Sequence, residues 1–224
     1  MPNTELSGFL RVALDIQATP FPGIHVADGV MAATDGVMLV AKKFDDKVFL
    51  RGEGAISPKA ARVLEALAEA TWIGSVAVVG NRVTATAQST RYEENVGEVA
   101  SGYCEVKLPE FYCPRAPVAR MLGVLTDESR DWQQIVENPN LKALKEMSAR
   151  DYVALIDNPR NGGELFRPKE IDDPHWYSVA QLRRGLRLFG ARARLSVRRN
   201  AKGWLAFEDG YGHTFAVTPF VKHN

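Results

Sequence analysis

The chain has 224 residues, of which 46% are hydrophobic and 25% charged, with 28 Lys and Arg against 27 Asp and Glu and a formal net charge of +1. This is the composition of an ordinary globular protein with material for two modest cores, and it excludes disorder of the whole chain. The near-zero net charge also excludes attraction to nucleic acid through the total, so any such attraction must come from uneven placement of charge.

The opening stretch MPNTELSGFLRVAL has no basic n-region, apolar core or small-residue cleavage site. No apolar run approaches the roughly 20 residues that span a bilayer, so a cytoplasmic, unanchored protein is expected. Cys104 and Cys113 are too few for a disulfide framework and match no zinc or redox spacing, which leaves two ordinary reduced thiols.

Between Leu6 and Ile16, apolar residues recur at intervals of three and four, the spacing of an amphipathic helix that Pro20 and Pro22 terminate. From Gly23 to Leu50 short apolar runs alternate with Asp28-Gly29 and Asp35-Gly36. These pairs supply the positive φ of tight turns, so an antiparallel meander is expected. Ser57 and Pro58 cap a second helix whose stripe is Ala60, Leu64, Leu67 and Thr71, and strands resume from Ser75 to Leu108.

Pro109 and the prolines from Pro114 to Pro117 mark a connector, placing a boundary near residue 112. Beyond it the pattern gives helices around Val118 to Leu125 and Leu141 to Met147, a strand over Tyr152 to Ile156, and a loop-rich stretch up to Trp176. Ser178 then caps a helix with Val179, Leu182, Leu186 and Phe189 on one face, stopped by Gly190, and three strands follow. The expected class is α+β, with two modules, residues 1–111 and 112–224, each with helices packed on antiparallel sheets. The second module is atypical, and residues 126–173 are the least legible.

Ala32 to Val40, AATDGVMLV, resembles the Ala-Thr-Asp-Gly-His-Arg-Leu stretch in the middle domain of the bacterial β sliding clamp. Phe215 to Val221, FAVTPFV, resembles that clamp's closing Tyr-Val-Val-Met-Pro-Met-Arg-Leu strand. Leu108-Pro109 falls where the clamp's middle domain leads into its last. The similarity covers residues 6–110 and 174–221, and it implies a DNA-clamp-like fold corresponding to the middle and last clamp domains. With six modules to a ring, two per chain imply a homotrimer, although a chain reduced in this way could equally stay monomeric.

The resemblance implies a peptide-binding site made of Thr34, Gly36, Val37, Met38 and Leu39 on one side and Val217, Thr218, Pro219 and Phe220 on the other, with Pro109 nearby. An apolar cleft of this kind suits anchor side chains of an extended peptide. The family's His-Arg is Val37-Met38 here and its terminal Met-Arg is Phe220-Val221, which makes the site more apolar. The same residues read equally as a tight hairpin and a buried edge strand in which Pro219 excuses a missing donor.

Seven arginines lie between Arg183 and Arg199. Arg184 and Arg187 fall opposite the apolar face of their helix, and with Arg183, Arg192 and Arg194 they form the candidate DNA-binding set, the resemblance implying contact with phosphates independent of sequence. The alternative is a solvated basic face paired with nearby carboxylates. The equivalent helix of the first module, with Lys59, Arg62, Glu65 and Glu69, is charge-balanced.

His25, His175, His213 and His223 are dispersed without metal-ligand spacing, and no phosphate loop, nucleophile elbow or dinucleotide fingerprint occurs. The pairs Asp45-Asp46 and Asp172-Asp173 read as solvated. Trp132, Trp176 and Trp204 read as buried aromatics, with base stacking as the alternative. The expectation is a protein without enzymatic activity, cofactor or metal. It is expected to act as a clamp-like replication accessory of phage or prophage type that binds duplex DNA and polymerase-type peptides, or alternatively as a clamp-fold interaction protein or peptide decoy that does not encircle DNA.

Overall fold

The computed structural model describes residues 4–16, 22–44, 48–93, 97–112, 133–134, 148–157, 164–166, 175–200 and 202–220. The chain divides into two units, one of Met1–Ala33 with Lys43–Val118, the other of Thr34–Lys42 with Ala119–Asn224. The helices expected around Val118 and Leu141, together with Asp45, Asp46, Cys113, Trp132, Asp172, Asp173, Val221 and His223, lie outside the described residues.

In the first unit, helix α1 (Thr4–Ile16) buries Leu6, Phe9, Leu10, Ala13 and Ile16, as its spacing requires. Strands β1 (Ile24–Ala27) and β2 (Val30–Thr34) form a hairpin, with Ala27 opposite Val30. Its two-residue turn places Asp28 at φ 50° and Gly29 at φ 75°, the conformation that the Asp-Gly pair tolerates best. The next strand, β3 (Met38–Lys43), lies almost wholly in the second unit and is described there.

Strand β4 (Leu50–Ile56) returns to the other edge of β1 and is followed by helix α2 (Pro58–Ala70). Ser57 caps α2, its Oγ accepting from the Ala60 N–H at 3.2 Å. The buried face of α2 is Ala60, Ala61, Leu64 and Ala68, whereas Leu67 and Thr71 of the expected stripe are half-buried. Strands β5 (Ile73–Gly80), β6 (Arg82–Glu93) and β7 (Gly97–Lys107) complete the unit, in the order β7-β6-β5-β4-β1-β2.

The sheet departs from the antiparallel expectation at one place, because β4 and β5 run parallel, with Leu50 opposite Val76 and Gly54 opposite Gly80. Helix α2 carries the chain back along its own path, so β5 starts beside the start of β4, as a crossover connection demands. Gly52 and Gly54 adopt φ 81° and 154° within β4.

His25 of β1 is 2% exposed, and burial holds its pKa below the ordinary 6.5. The native state therefore carries His25 neutral where the unfolded chain begins to protonate it. Stability should be complete above pH 6.5 and fall as the pH drops below it, by up to about 1.4 kcal/mol per pH unit. Urea denaturation between pH 7 and 5 should show this slope, and His25→Gln should flatten it.

In the second unit β3 pairs with β13 (His213–Val217), and the sheet continues through β12 (Leu205–Glu208), β11 (Ser196–Arg199) and β8 (Gln133–Gln134), all antiparallel. The strand expected over Tyr152 to Ile156 is instead part of helix α3 (Ala149–Asp157). Ser148 Oγ accepts from the Asp151 N–H at 3.2 Å, and Ala149, Tyr152 and Ile156 bury one face at helical spacing.

A short hairpin of β9 (Leu165–Phe166) and β10 (Tyr177–Ser178) precedes helix α4 (Val179–Leu186), which ends one turn short of Gly190. Phe215, fully buried on β13, stacks on Phe207 at 5.6 Å between centroids, and Phe207 meets Tyr152 of α3 edge-on at 5.4 Å. The β12–β13 turn is held by Asp209, whose Oδ1 accepts from the Tyr211 and His213 N–H groups while Oδ2 lies 2.9 Å from His213 Nδ1. Burial opposes ionisation of Asp209, but the hydrogen bonds from His213 and Tyr211 outweigh it and keep the carboxyl below its ordinary value. No helix among the described residues is long and apolar enough to cross a membrane.

Candidate functional site

Thr34, at the end of β2, donates its Oγ1 hydrogen to the Met38 carbonyl at 2.6 Å and accepts from the Gly36 N–H at 3.0 Å. Asp35 Oδ1 accepts from the N–H groups of Val37 and Met38 at 2.9 and 2.7 Å, and the Asp35 N–H points to the Met38 carbonyl. This side-chain clasp closes the loop, and Gly36 at φ 89° supplies the conformation that it needs.

The loop delivers β3 directly against β13. Met38 lies opposite Val217 and Leu39 opposite Ala216, and the Thr218 N–H donates to the Val37 carbonyl at 3.0 Å. Met38, Leu39 and Val217 are buried, whereas Val37 is 38% exposed. Pro219 has no N–H to give, and beyond it the Phe220 N–H donates to the Trp176 carbonyl at 2.6 Å. Phe220 and Trp176 are 52% and 38% exposed.

Two segments from opposite ends of the chain, joined by Trp176, thus form one strip, with Val37, Phe220 and Trp176 as its exposed apolar side chains. All the backbone donors from Asp35 to Met38 and from Thr218 to Phe220 are used within the strip itself. A ligand here would be held by side chains, not by strand addition. Pro109, the remaining member of the predicted set, is an exposed residue of the first unit.

Trp176 was not among the predicted peptide-site residues, and its expected burial is not observed. The signal for its position was the hairpin of β9 and β10, too short for periodicity to reveal. Trp204 is half-buried.

The basic surface is built on α4. The Ser178 Oγ accepts from the Gln181 N–H at 3.4 Å, and with Val179, Leu182 and Leu186 buried, Arg183, Arg184 and Arg187 are left exposed. Arg192 and Arg194 are exposed in the turn leading to β11. Arg183 Nε lies 2.6 Å from Asp157 Oδ1, and Arg198 pairs with Glu208, so part of the cluster is neutralised internally. Arg184, Arg192 and Arg194 make no ion pair among the described residues.

An open depression of about 690 Å³ in the first unit is lined by residues including Phe44, Leu50 and Arg51, and none of the predicted site residues lines it. Among the described residues no three His, Cys, Asp or Glu stand close enough to hold a metal ion.

No protein-family model matches the sequence, and no curated protein matches it significantly. Solved structures do match over the whole chain. The DNA polymerase sliding clamp of Bacillus subtilis superposes with a TM-score of 0.54 at 12% identity, covering 100% of this chain and 64% of the clamp. A DNA polymerase III β subunit from Eubacterium rectale gives 0.58 at 9% identity, over 98% of this chain and 64% of that one. The Helicobacter pylori β clamp, solved with a DNA ligase peptide bound, gives 0.50 at 13% identity, over 100% and 65%. This chain therefore spans less than two thirds of the length of the clamps it resembles. In its described residues the chain has the α+β fold of the bacterial DNA polymerase III β sliding clamps.

Proposed function

We propose that the chain is a cytoplasmic, non-enzymatic, clamp-like replication accessory. In this reading it is built of two clamp-type modules, residues 1–111 and 112–224, takes short hydrophobic partner peptides on the strip of Val37, Trp176 and Phe220, and contacts duplex DNA without sequence specificity through Arg183, Arg184, Arg187, Arg192 and Arg194.

The observation that carries this reading is the hydrogen-bonded pairing of Thr34–Leu39 with Val217–Phe220, because these stretches resemble the clamp's peptide site in sequence and meet in the fold. That a clamp of the same fold has been solved with a DNA ligase peptide supports the choice of ligand. A labelled polymerase-type peptide should bind the wild type by fluorescence anisotropy. Phe220→Asp should weaken it at least about tenfold, the loss of one aromatic anchor. No detectable binding by the wild type would remove the peptide role.

For DNA, Arg184→Glu combined with Arg187→Glu should weaken plasmid binding and lower the slope of log affinity against log salt by about two. An unchanged slope would take α4 out of the interface. The pairing of Arg183 with Asp157 and of Arg198 with Glu208, which neutralises part of the basic cluster, favours a second reading, an interaction protein or peptide decoy that closes no ring. Light scattering separates the two, since a homotrimer of the 24.7 kDa chain fits a six-module ring and a monomer fits the decoy.

A further inference from the structure

Arg11 of the first unit differs in availability from three arginines of the second. In the second unit Arg184, Arg192 and Arg194 are exposed and outside any ion pair among the described residues. In the first unit α1 and α2 carry four carboxylates against three cations. Arg11 of α1 is clasped by two of those carboxylates. Its Nε lies 3.2 Å from Glu65 Oε1, and a terminal nitrogen binds Glu69. Lys59 Nζ stands 4.3 Å from the centre of the Phe111 ring.

A phosphate is bound strongly where a cation exchanges loosely held solution ions for it. A guanidinium whose donor fork already faces carboxylates has little left to offer, and the carboxylates themselves repel the phosphate. We infer that Glu65 and Glu69 mask Arg11, so that this cation of the first unit is withheld from the DNA backbone while Arg184, Arg192 and Arg194 are offered to it. The inference rests on the DNA-binding reading given above.

A short fluorescein-labelled duplex of arbitrary sequence, titrated across a potassium chloride series, tests it. Arg184→Gln, Arg192→Gln and Arg194→Gln together should lower the salt slope by about 2.7, while Arg11→Gln alone leaves affinity and slope unchanged. Glu65→Gln with Glu69→Gln should tighten binding and raise the slope by about 0.9, one added phosphate contact, and adding Arg11→Gln should abolish that gain. All of these side chains are at least partly exposed, so far-ultraviolet circular dichroism should report an unchanged fold in every variant.

A fall in the slope with Arg11→Gln alone would overturn the inference. So would the absence of a gain on neutralising the glutamates, or a gain that survives removal of Arg11. A wild type that binds no duplex under any salt condition sinks the DNA reading itself and the inference with it, whereas the preceding results sink the inference alone.

Discussion

Replacing Gly54 by valine is expected to destabilise the protein by about 3 kcal/mol or more, a fall of roughly 6–12 °C in melting temperature for a chain of this size. Two independent costs meet at this residue. Its φ of 154° lies in a region that side-chain-bearing residues rarely adopt, and a Cβ there would stand 1.9 Å from the Gly80 carbonyl oxygen. That oxygen belongs to backbone and cannot swing aside as a flexible side chain would. The neighbouring Gly52 repeats the arrangement against the Val78 carbonyl at 2.1 Å. The two glycines therefore permit the close parallel approach of β4 to β5. Thermal denaturation followed by circular dichroism measures the effect, and a wild-type midpoint for Gly54→Val would show that the approach is not as tight as described.

The second large effect belongs to the other unit. Phe215→Ala should cost about 3–5 kcal/mol, because the ring is fully buried, stacks on Phe207 and fills the space over Gly185. Gly185 sits inside α4, where alanine would ordinarily gain about 1 kcal/mol in helix propensity. Its Cβ would stand 2.1 Å from the Phe215 ring, so here the steric term wins and Gly185→Ala should destabilise.

Combined with Phe215→Leu, the added methyl enters vacated space. The double variant should then be more stable than the sum of the single effects predicts, by about 0.5–3 kcal/mol. Strict additivity in urea denaturation would mean that the two residues do not share this volume. The pair also bears on the Val217–Phe220 strip, into which β13 runs directly from Phe215.

The acid range offers a separate check on which groups matter. Asp209, with its pKa below the ordinary 3.8, contributes stability that is present above that value and lost as the pH falls beneath it. The His25 contribution is lost below 6.5, so the two groups act in different windows.

The sequence by itself determined the local units. The three-and-four spacing of α1, Ser57-Pro58 ahead of α2, Ser178 ahead of α4 and the Asp28-Gly29 turn each follow from interactions within a few residues, and such interactions are legible in a linear string. The stretches Thr34–Leu39 and Val217–Phe220 and the arginine cluster were singled out in the same way, the former through a resemblance of short stretches.

Only the tertiary structure decided what those units pair with. The partner of β3 is β13 and not β4, the β4–β5 pair is parallel, and Trp176 stands exposed beside Phe220. Nothing within a few residues of Met38 or Trp176 encodes these outcomes. Tyr152 to Ile156 was misread because five residues with apolar side chains at alternate and fourth positions satisfy a strand and a helix equally. The Ser148 cap and packing against Phe207 settled the choice. Charge followed the same division. The sequence placed Arg11, Glu65 and Glu69 on two separate helices, and only the packing of α1 on α2 turned them into one neutralised cluster while leaving Arg184, Arg192 and Arg194 exposed. Pairing across sequence distance depends on which surfaces the collapsed chain brings within a few ångströms, a property of the whole fold that no local pattern contains.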